Sequence, residues 1–381
     1  MKVCVVAPDY PTSKTFDFVF VDQLCRGMAA NGEDVTVIAP QTLTKCLIRH
    51  IPIARRKSII NISNGCNLTL LRPKYFSFGS LQGPLRSLTK NGYENAVKRA
   101  FKNLRQKPDA IYGHFWQSVK AAYPLAKKYN IPLYASSGEE QVYQERIGYT
   151  DEDIKTISRY ISGVINVSSN NKDQCLATGL VTGDKCCVIP NAIDETLFYR
   201  RDKKLCRNLL GVKDSDFLVA FVGQWVSRKG ILKLNDALKQ IGNPEIKAFF
   251  LGKGPEVPDY EGIIFKGIVS HSNLPEYLSA ADVFVLPTQN EGCSNAIIEA
   301  LACGVPVISS DLPFNYDVLD DSNSILIDPN DVEQIKESIL HLRNSPALCE
   351  TLSLGALETA ESLTLSKRVE RIINFINSRR P

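Results

Sequence analysis

At 381 residues and 44% hydrophobic content the chain has the material for two buried cores, and no apolar run approaches the ~20 residues that a bilayer-spanning helix needs. Eleven cysteines without a C-x-x-C spacing exclude a zinc pattern and a dithiol redox motif, and most stand in strand or helix runs where cysteine acts as a small hydrophobe. The net charge of +4 hides an asymmetry: fourteen Lys and Arg and the single acid Glu94 lie between Lys45 and Lys107, leaving the remainder of the chain net acidic.

In chain order, MKVCVVAPDYP reads as a first strand closed by prolines. It lacks the apolar core and small-residue cleavage site of a signal peptide, so the protein is expected in the cytoplasm and the sequons at Asn61, Asn67 and Asn166 are read as chance matches. DVTVIAP is the next strand. In the basic segment that follows, Ile48, Ile51, Ile53, Tyr75, Phe76, Phe78, Leu81 and Leu85 are interleaved with the cations. That mixture suits an anionic membrane face or a lipid-linked acceptor, and no recognisable nucleic-acid-binding fold accompanies it; a solvated basic surface is the plain alternative. AIYGH, IPLYASS and GVINVSS continue the strands. His114 closes AIYGH at a strand's carboxyl end, where a lone histidine serves either packing or catalysis.

A domain boundary is expected near Pro190. FLVAFVGQWVSRKG then reads as a buried strand, a glycine turn and a helix start, which delivers Arg228 and Lys229 into a strand-end crevice. Two cations at a helix start oppose its dipole, a conflict that a bound diphosphate relieves; a solvated basic pair is the bland reading. AFFLGKGPE is a strand with a glycine turn and is no P-loop, because no G-x-x-x-x-G-K-[ST] accompanies it. ADVFVLPT is a strand buried on both faces, and EGCSNAIIEALACGVPVIS follows it. There Gly292 permits a tight turn, Ser294 or Asn295 serves as N-cap, and a helix over 296–303 ends at Gly304 and Pro306. Glu291 is thus in the loop and Glu299 in the helix. A helix N-terminus at a strand end is an anion site, and eight helical residues span at most about 12 Å, so the two carboxylates address hydroxyls on opposite sides of a bound diphosphate. That is the outline of a sugar nucleotide. VPVISS and SILID complete an alternation of strands and helices that gives an α/β protein with two doubly wound sheets. An NAD-dependent oxidoreductase is disfavoured, since no strand leads into G-x-G-x-x-G.

Glu291, Gly292, Cys293, Ser294, Glu299, Ala300, Gly304, Pro306 and Val307 together resemble the E-x7-E motif and G-x-P-V turn of the retaining glycosyltransferases of family 4, the group 1 glycosyltransferases. Further likenesses are Arg228-Lys229-Gly230, the G-x-G-P segment at Gly252, the strand and base-binding loop around Gly267, and VIPNAIDETLF at the domain junction. The chain departs from the pattern at Cys293 (usually aromatic), Gln224 (usually Arg), Ala192 (usually Gly) and Phe18 or a neighbour (usually Gly).

The resemblance implies a GT-B fold, two Rossmann-like doubly wound domains facing across a cleft. Residues 1–190 would bind acceptor, 191–365 would bind the nucleotide sugar, and 366–381 would form a helix crossing back to the first domain. It implies catalytic roles for Glu291, Lys229, Arg228 and His114, and a donor site of Gly223, Arg228, Lys229, Gly252, Gly267, Glu291, Gly292, Cys293, Ser294, Asn295 and Glu299. Glu291 would touch the transferred sugar and Glu299 the ribose, while His271 is read as a loop histidine. His114, Ser137, Glu139 and Glu140 are acceptor candidates. The implied reaction is retaining, metal-independent and cofactor-free transfer from a nucleotide sugar, UDP first and GDP next. The acceptor is a glycan or lipid-linked intermediate of cell-surface polysaccharide, met at the inner face of the cytoplasmic membrane. A sugar-nucleotide epimerase or hydrolase on the same fold, or a non-catalytic binder, is the alternative.

Overall fold

The computed structural model describes residues 1–12, 18–62, 65–78, 84–142 and 149–380. Leu81 and the side chain of Leu85, counted above in the basic segment, lie outside the described residues. The chain divides into two compact units, Met1–Ile189 with the last helix from Arg368 onward, and Pro190–Lys367.

The first unit is built on an eight-stranded sheet of order β10-β9-β8-β7-β1-β2-β5-β4. The strands are β1 (Lys2–Val6), β2 (Asp34–Ile38), β4 (Lys57–Asn61), β5 (Asn67–Leu71), β7 (Ala110–His114), β8 (Leu133–Ser137), β9 (Gly163–Asn166) and β10 (Cys186–Val188); β3 (Gln41–Thr42) and β6 (Lys74–Tyr75) form a separate parallel pair. All neighbours in the large sheet are parallel except β4, which runs antiparallel to β5 at the edge. β7, β8 and β9 are buried at every residue, as expected of central strands covered on both faces. β2 and β5 are different. Val35, Val37, Leu68 and Leu70 are buried on one face, whereas Thr36 and Thr69 on the other are only half-buried. The last helix, Leu365–Ser378, packs on the β8–β9 region: the Tyr134 hydroxyl donates to the Ile376 carbonyl at 3.0 Å, and a Cβ at Gly163 would lie 2.6 Å from the Phe375 ring. Among the apolar residues of the basic segment, Ile48, Ile53, Phe76 and Phe78 are exposed. Tyr75 instead packs edge-on against buried Tyr93, 6.0 Å between ring centres.

The second unit carries a six-stranded, all-parallel sheet of order β13-β12-β11-β14-β15-β16. Its strands are β11 (Phe217–Val222), β12 (Ile246–Leu251), β13 (Ile263–Gly267), β14 (Val283–Leu286), β15 (Val307–Ser310) and β16 (Ser324–Ile327). The order reverses between β11 and β14, and such a switch point opens a crevice at the strands' carboxyl ends. Among the described residues no helix is long and apolar enough to cross a membrane.

Candidate active site

Three loops meet at the switch point. The first leaves β11 at Gly223 and, contrary to the expected direct entry into a helix, makes one 3-10 turn over Ser227–Lys229 before the helix Ile231–Ile241 begins. Gly230 separates the two with φ 70°, and a Cβ there would lie 2.2 Å from the Pro287 carbonyl oxygen, so the loops after β11 and β14 touch backbone to backbone. Arg228 and Lys229 therefore precede the helix instead of lying in its first turn. The dipole conflict raised by the sequence does not arise in that form.

The second loop follows β12. The Gly252 N–H donates to the Gly267 carbonyl at 2.8 Å, and a Cβ on Gly252 would fall 1.9 Å from the Gly223 oxygen at a φ of 149°. Gly252→Ala is accordingly expected to cost about 3 kcal/mol or more, since neither the backbone angle nor the neighbouring carbonyl can accommodate a methyl. At Gly223 an added methyl meets only the Phe221 ring at 3.5 Å and the Lys229 stem at 3.8 Å. Gly223→Ala should cost under about 1 kcal/mol. Denaturant unfolding of both variants checks the contrast.

The third loop leaves β14 and brings together residues far apart in sequence. Glu291, 8% exposed, forms an ion pair with Lys229, lies 3.5 Å from Arg228, and accepts from the Thr288 hydroxyl at 3.1 Å. Arg228 also donates to the Asn290 carbonyl at 2.8 Å. The expected division, cations for phosphate and Glu291 for sugar, is thus one cluster in which two positive charges face one negative. Gly292, Cys293 and Ser294 are buried beside it, with Asn295 exposed. Ser294 occupies the N-cap position of the helix Asn295–Ala302, but its side chain makes no capping hydrogen bond. Cys293, in place of an aromatic residue, has its carbonyl held by the Asn191 side-chain amide at 3.0 Å. Asn191 lies in VIPNAIDETLF at the domain junction and is not among the site residues expected from the sequence.

Glu299 lies within the helix and is paired with the residue read as a plain loop histidine. His271 Nε2 is 3.1 Å from Glu299 Oε1, and the Phe198 ring lies edge-on to the imidazole with 5.0 Å between centres. An ionised carboxylate only accepts, so Nε2 carries the donated proton. Burial pushes the Glu299 carboxyl above the usual range, with the His271 contact opposing it. The same hydrogen bond raises His271, opposed by burial.

In the first unit His114 is only 4% exposed, and burial, reinforced by the Arg368 charge, pushes its imidazole down to about 3. It is neutral at physiological pH, and its Nδ1 has no partner among the described residues. The Phe115 ring lies 4.5 Å and the Phe20 ring 5.4 Å from it, between ring centres. Phe18, where the resemblance calls for glycine, adopts the left-handed φ of 63° that glycine supplies at little cost.

Two acceptor candidates, Ser137 and Glu139, are engaged by neighbouring groups. Ser137 is fully buried, and its hydroxyl donates to Glu139 at 3.0 Å while accepting from the Trp116 indole at 3.1 Å. Glu139 accepts from the backbone N–H of Trp116 at 2.7 Å and of Gly138 at 3.0 Å. The pair anchors the first turn of the helix Trp116–Tyr129, with Ser137 buried and Glu139 half-buried. Glu140 is exposed. Among the described residues no group of three or more His, Cys, Asp or Glu is placed to hold a metal ion.

Two Rossmann-like α/β units give the chain the GT-B fold shared by its solved structural neighbours. The Glycosyltransferase Family 4 profile matches residues 18–197, and that of Glycosyl transferases group 1 matches residues 216–345. The chain belongs to this family. It is 29% identical over 353 residues to TuaC of Bacillus subtilis (strain 168), assigned as a teichuronic acid biosynthesis glycosyltransferase, covering 89% of this chain and 88% of that one. Its fold is similar to sucrose-phosphate synthase from Thermosynechococcus elongatus (TM-score 0.76, 22% identity, 99% and 98% of the two chains). It is likewise similar to Anabaena HepE, solved in complex with UDP (TM-score 0.74, 16% identity, 99% and 100%).

Proposed function

We propose that the protein transfers a sugar from a UDP-sugar to a glycan or lipid-linked acceptor of cell-surface polysaccharide, with retention of configuration and without a metal ion. The observation that carries this reading is the Lys229–Arg228–Glu291 cluster beside the uncapped start of the helix Asn295–Ala302. An incoming diphosphate competes with Glu291 for Lys229. Once Lys229 turns to phosphate, Glu291 is free to accept hydrogen bonds from the sugar, while the cations and the helix N-terminus take up charge developing on the leaving group. Glu299, steadied by His271, accepts from the ribose hydroxyls, and the Gly223, Gly252 and Gly267 turns lie along the nucleotide. The second unit is then the donor domain and the first the acceptor domain, where a neutral His114 hydrogen-bonds a sugar hydroxyl in place of relaying a proton. The relationship to a surface-polysaccharide glycosyltransferase and the UDP complex of a fold neighbour support acceptor class and base.

The test is thermal denaturation with UDP, GDP and ADP, followed by turnover of the matching sugar nucleotides. UDP at about 100 times its Kd should add about 2.7 kcal/mol. Donor turnover should require an acceptor; turnover at the same rate without one would instead mark a hydrolase or epimerase, and a shift by ADP alone would remove the UDP assignment.

The basic segment docks the enzyme peripherally on the inner face of the cytoplasmic membrane in this reading, with exposed Ile48, Ile53, Phe76 and Phe78 among its cations. Each basic residue near such a surface contributes about 1 kcal/mol, decaying over a Debye length of roughly 8 Å. Replacing Arg55, Arg56 and Lys57 with Gln is therefore expected to weaken sedimentation with anionic vesicles on the order of 100-fold. Equal binding to neutral vesicles, insensitive to salt, would leave only a solvated basic face.

A further inference from the structure

A cavity of about 680 Å³ lies in the first unit, away from the carboxyl ends of β7 and β8 where His114 and Ser137 sit. It occupies the face of β1, β2 and β5 beyond the end of the helix Pro84–Lys102, and it reaches the amino ends of β1 and β2 at Lys2 and Asp34. Alternation puts Cys4, Thr36 and Thr69 side by side in register across these three strands, and the two threonines are half-buried where a helix-covered face would carry apolar side chains. Around that floor stand Lys2, Arg56, Lys57, Lys74, Arg99 and Arg105, with Asp34 the one carboxylate of the lining. None of the six cations forms an ion pair among the described residues. Lys2 donates to the Gln106 amide, Lys74 to the Gln41 amide, and Arg99 to the Lys74 carbonyl at 3.1 Å. The Lys74 ammonium is held below its usual range by burial and then by the neighbouring charges of Arg72 and Arg56, a repulsion an anion would relieve.

Six cations facing one acid exceed what one phosphate requires, and the volume is that of a pocket for a ligand of several rings. The lining also offers Thr36, Thr69, Asn103 and Gln106, groups that exchange hydrogen bonds with hydroxyls. It contains no aromatic residue on which a base could stack, which argues against single-stranded nucleic acid. A recessed floor also fits a chain better than a flat bilayer. We propose that this groove binds an anionic saccharide, holding a carboxylate- or phosphate-bearing stretch of glycan on the sheet face away from the strand ends that carry His114. The inference rests on the glycan-acceptor reading above and adds to it that the glycan is acidic.

Binding of oligogalacturonate, inorganic phosphate, neutral malto-oligosaccharide and phosphatidylglycerol vesicles is to be compared for wild type, Lys74→Gln/Arg99→Gln, Arg105→Gln and Arg55→Gln. Arg105 is exposed, so its replacement serves if the double variant fails to fold. Oligogalacturonate should bind wild type in a salt-sensitive manner and lose on the order of tenfold in the groove variants, with Arg55→Gln and malto-oligosaccharide as unaffected controls. Equal affinity in wild type and groove variants overturns the proposal, as does phosphate binding as tightly as oligogalacturonate. Groove variants that release vesicles while keeping the oligosaccharide would assign these cations to the membrane. The UDP thermal shift, measured on the same proteins, should be unchanged by the groove variants. Its absence in wild type would sink the donor reading without touching the groove.

Discussion

Lys229→Ala is expected to lower single-turnover sugar transfer by about 10²- to 10³-fold, the effect of removing one preorganised donor from developing oxyanion charge. Its cost in stability is expected to be smaller than the 3–5 kcal/mol typical of breaking a buried ion pair. Glu291 keeps Arg228 at 3.5 Å and the Thr288 hydroxyl at 3.1 Å, so its charge is not abandoned. The two readouts separate the roles of Lys229. Lost turnover in a protein that melts near wild type places the side chain in the chemistry, whereas parallel losses in both would make it a strut for Glu291 only. Lys229→Arg is the informative companion, since it keeps the charge but changes the reach and geometry of the donor.

Glu299→Gln is expected to weaken UDP binding by about 1.5 to 3 kcal/mol, or on the order of 10- to 150-fold, because a charged acceptor is lost from the nucleotide's hydroxyls. The His271 contact adds a pH dependence. Burial has raised the Glu299 pKa, so affinity resting on its ionised form falls as pH drops toward that raised value. His271 opposes the shift, and His271→Ala should move the acid limb of UDP affinity to higher pH. The pairing also bears on stability. His271 is raised in the folded protein, so its contribution is full below the ordinary imidazole value and is lost as pH rises through the raised one. Calorimetry with UDP across the acid-to-neutral range gives both answers. Glu299→Gln binding as tightly as wild type, or His271→Ala with an unmoved acid limb, would take the ribose role away from this pair.

Local pattern carried much of the architecture. FLVAFV and VFVL are apolar throughout, which suits strands covered on both faces, and they became β11 and β14. Small residues at 292–294 and the stop at Gly304 bounded a helix that the structure places at Asn295–Ala302, one residue from the expected start. These features depend on side-chain period and on backbone freedom at single residues, and both are written in a short window of sequence. The antiparallel edge pair β4–β5 was less legible, because its alternation is embedded in a segment whose charge dominates any reading.

Partnership was decided by the tertiary structure alone. Lys229 and Glu291 are 62 residues apart and meet because β11 and β14 are neighbours at the switch point, an adjacency that no window spanning either residue contains. His271 reaches Glu299 because the turn after β13 meets the helix after β14, which turned a plain loop histidine into the partner of a site carboxylate. Ser137 and Glu139 went the other way. They stand in a strand-end motif that sequence reads as available to ligand, yet the neighbouring helix start supplies Trp116 N–H and indole donors that engage both. Residue type and spacing set which chemistry a side chain is capable of, whereas strand order and packing set which partners engage it.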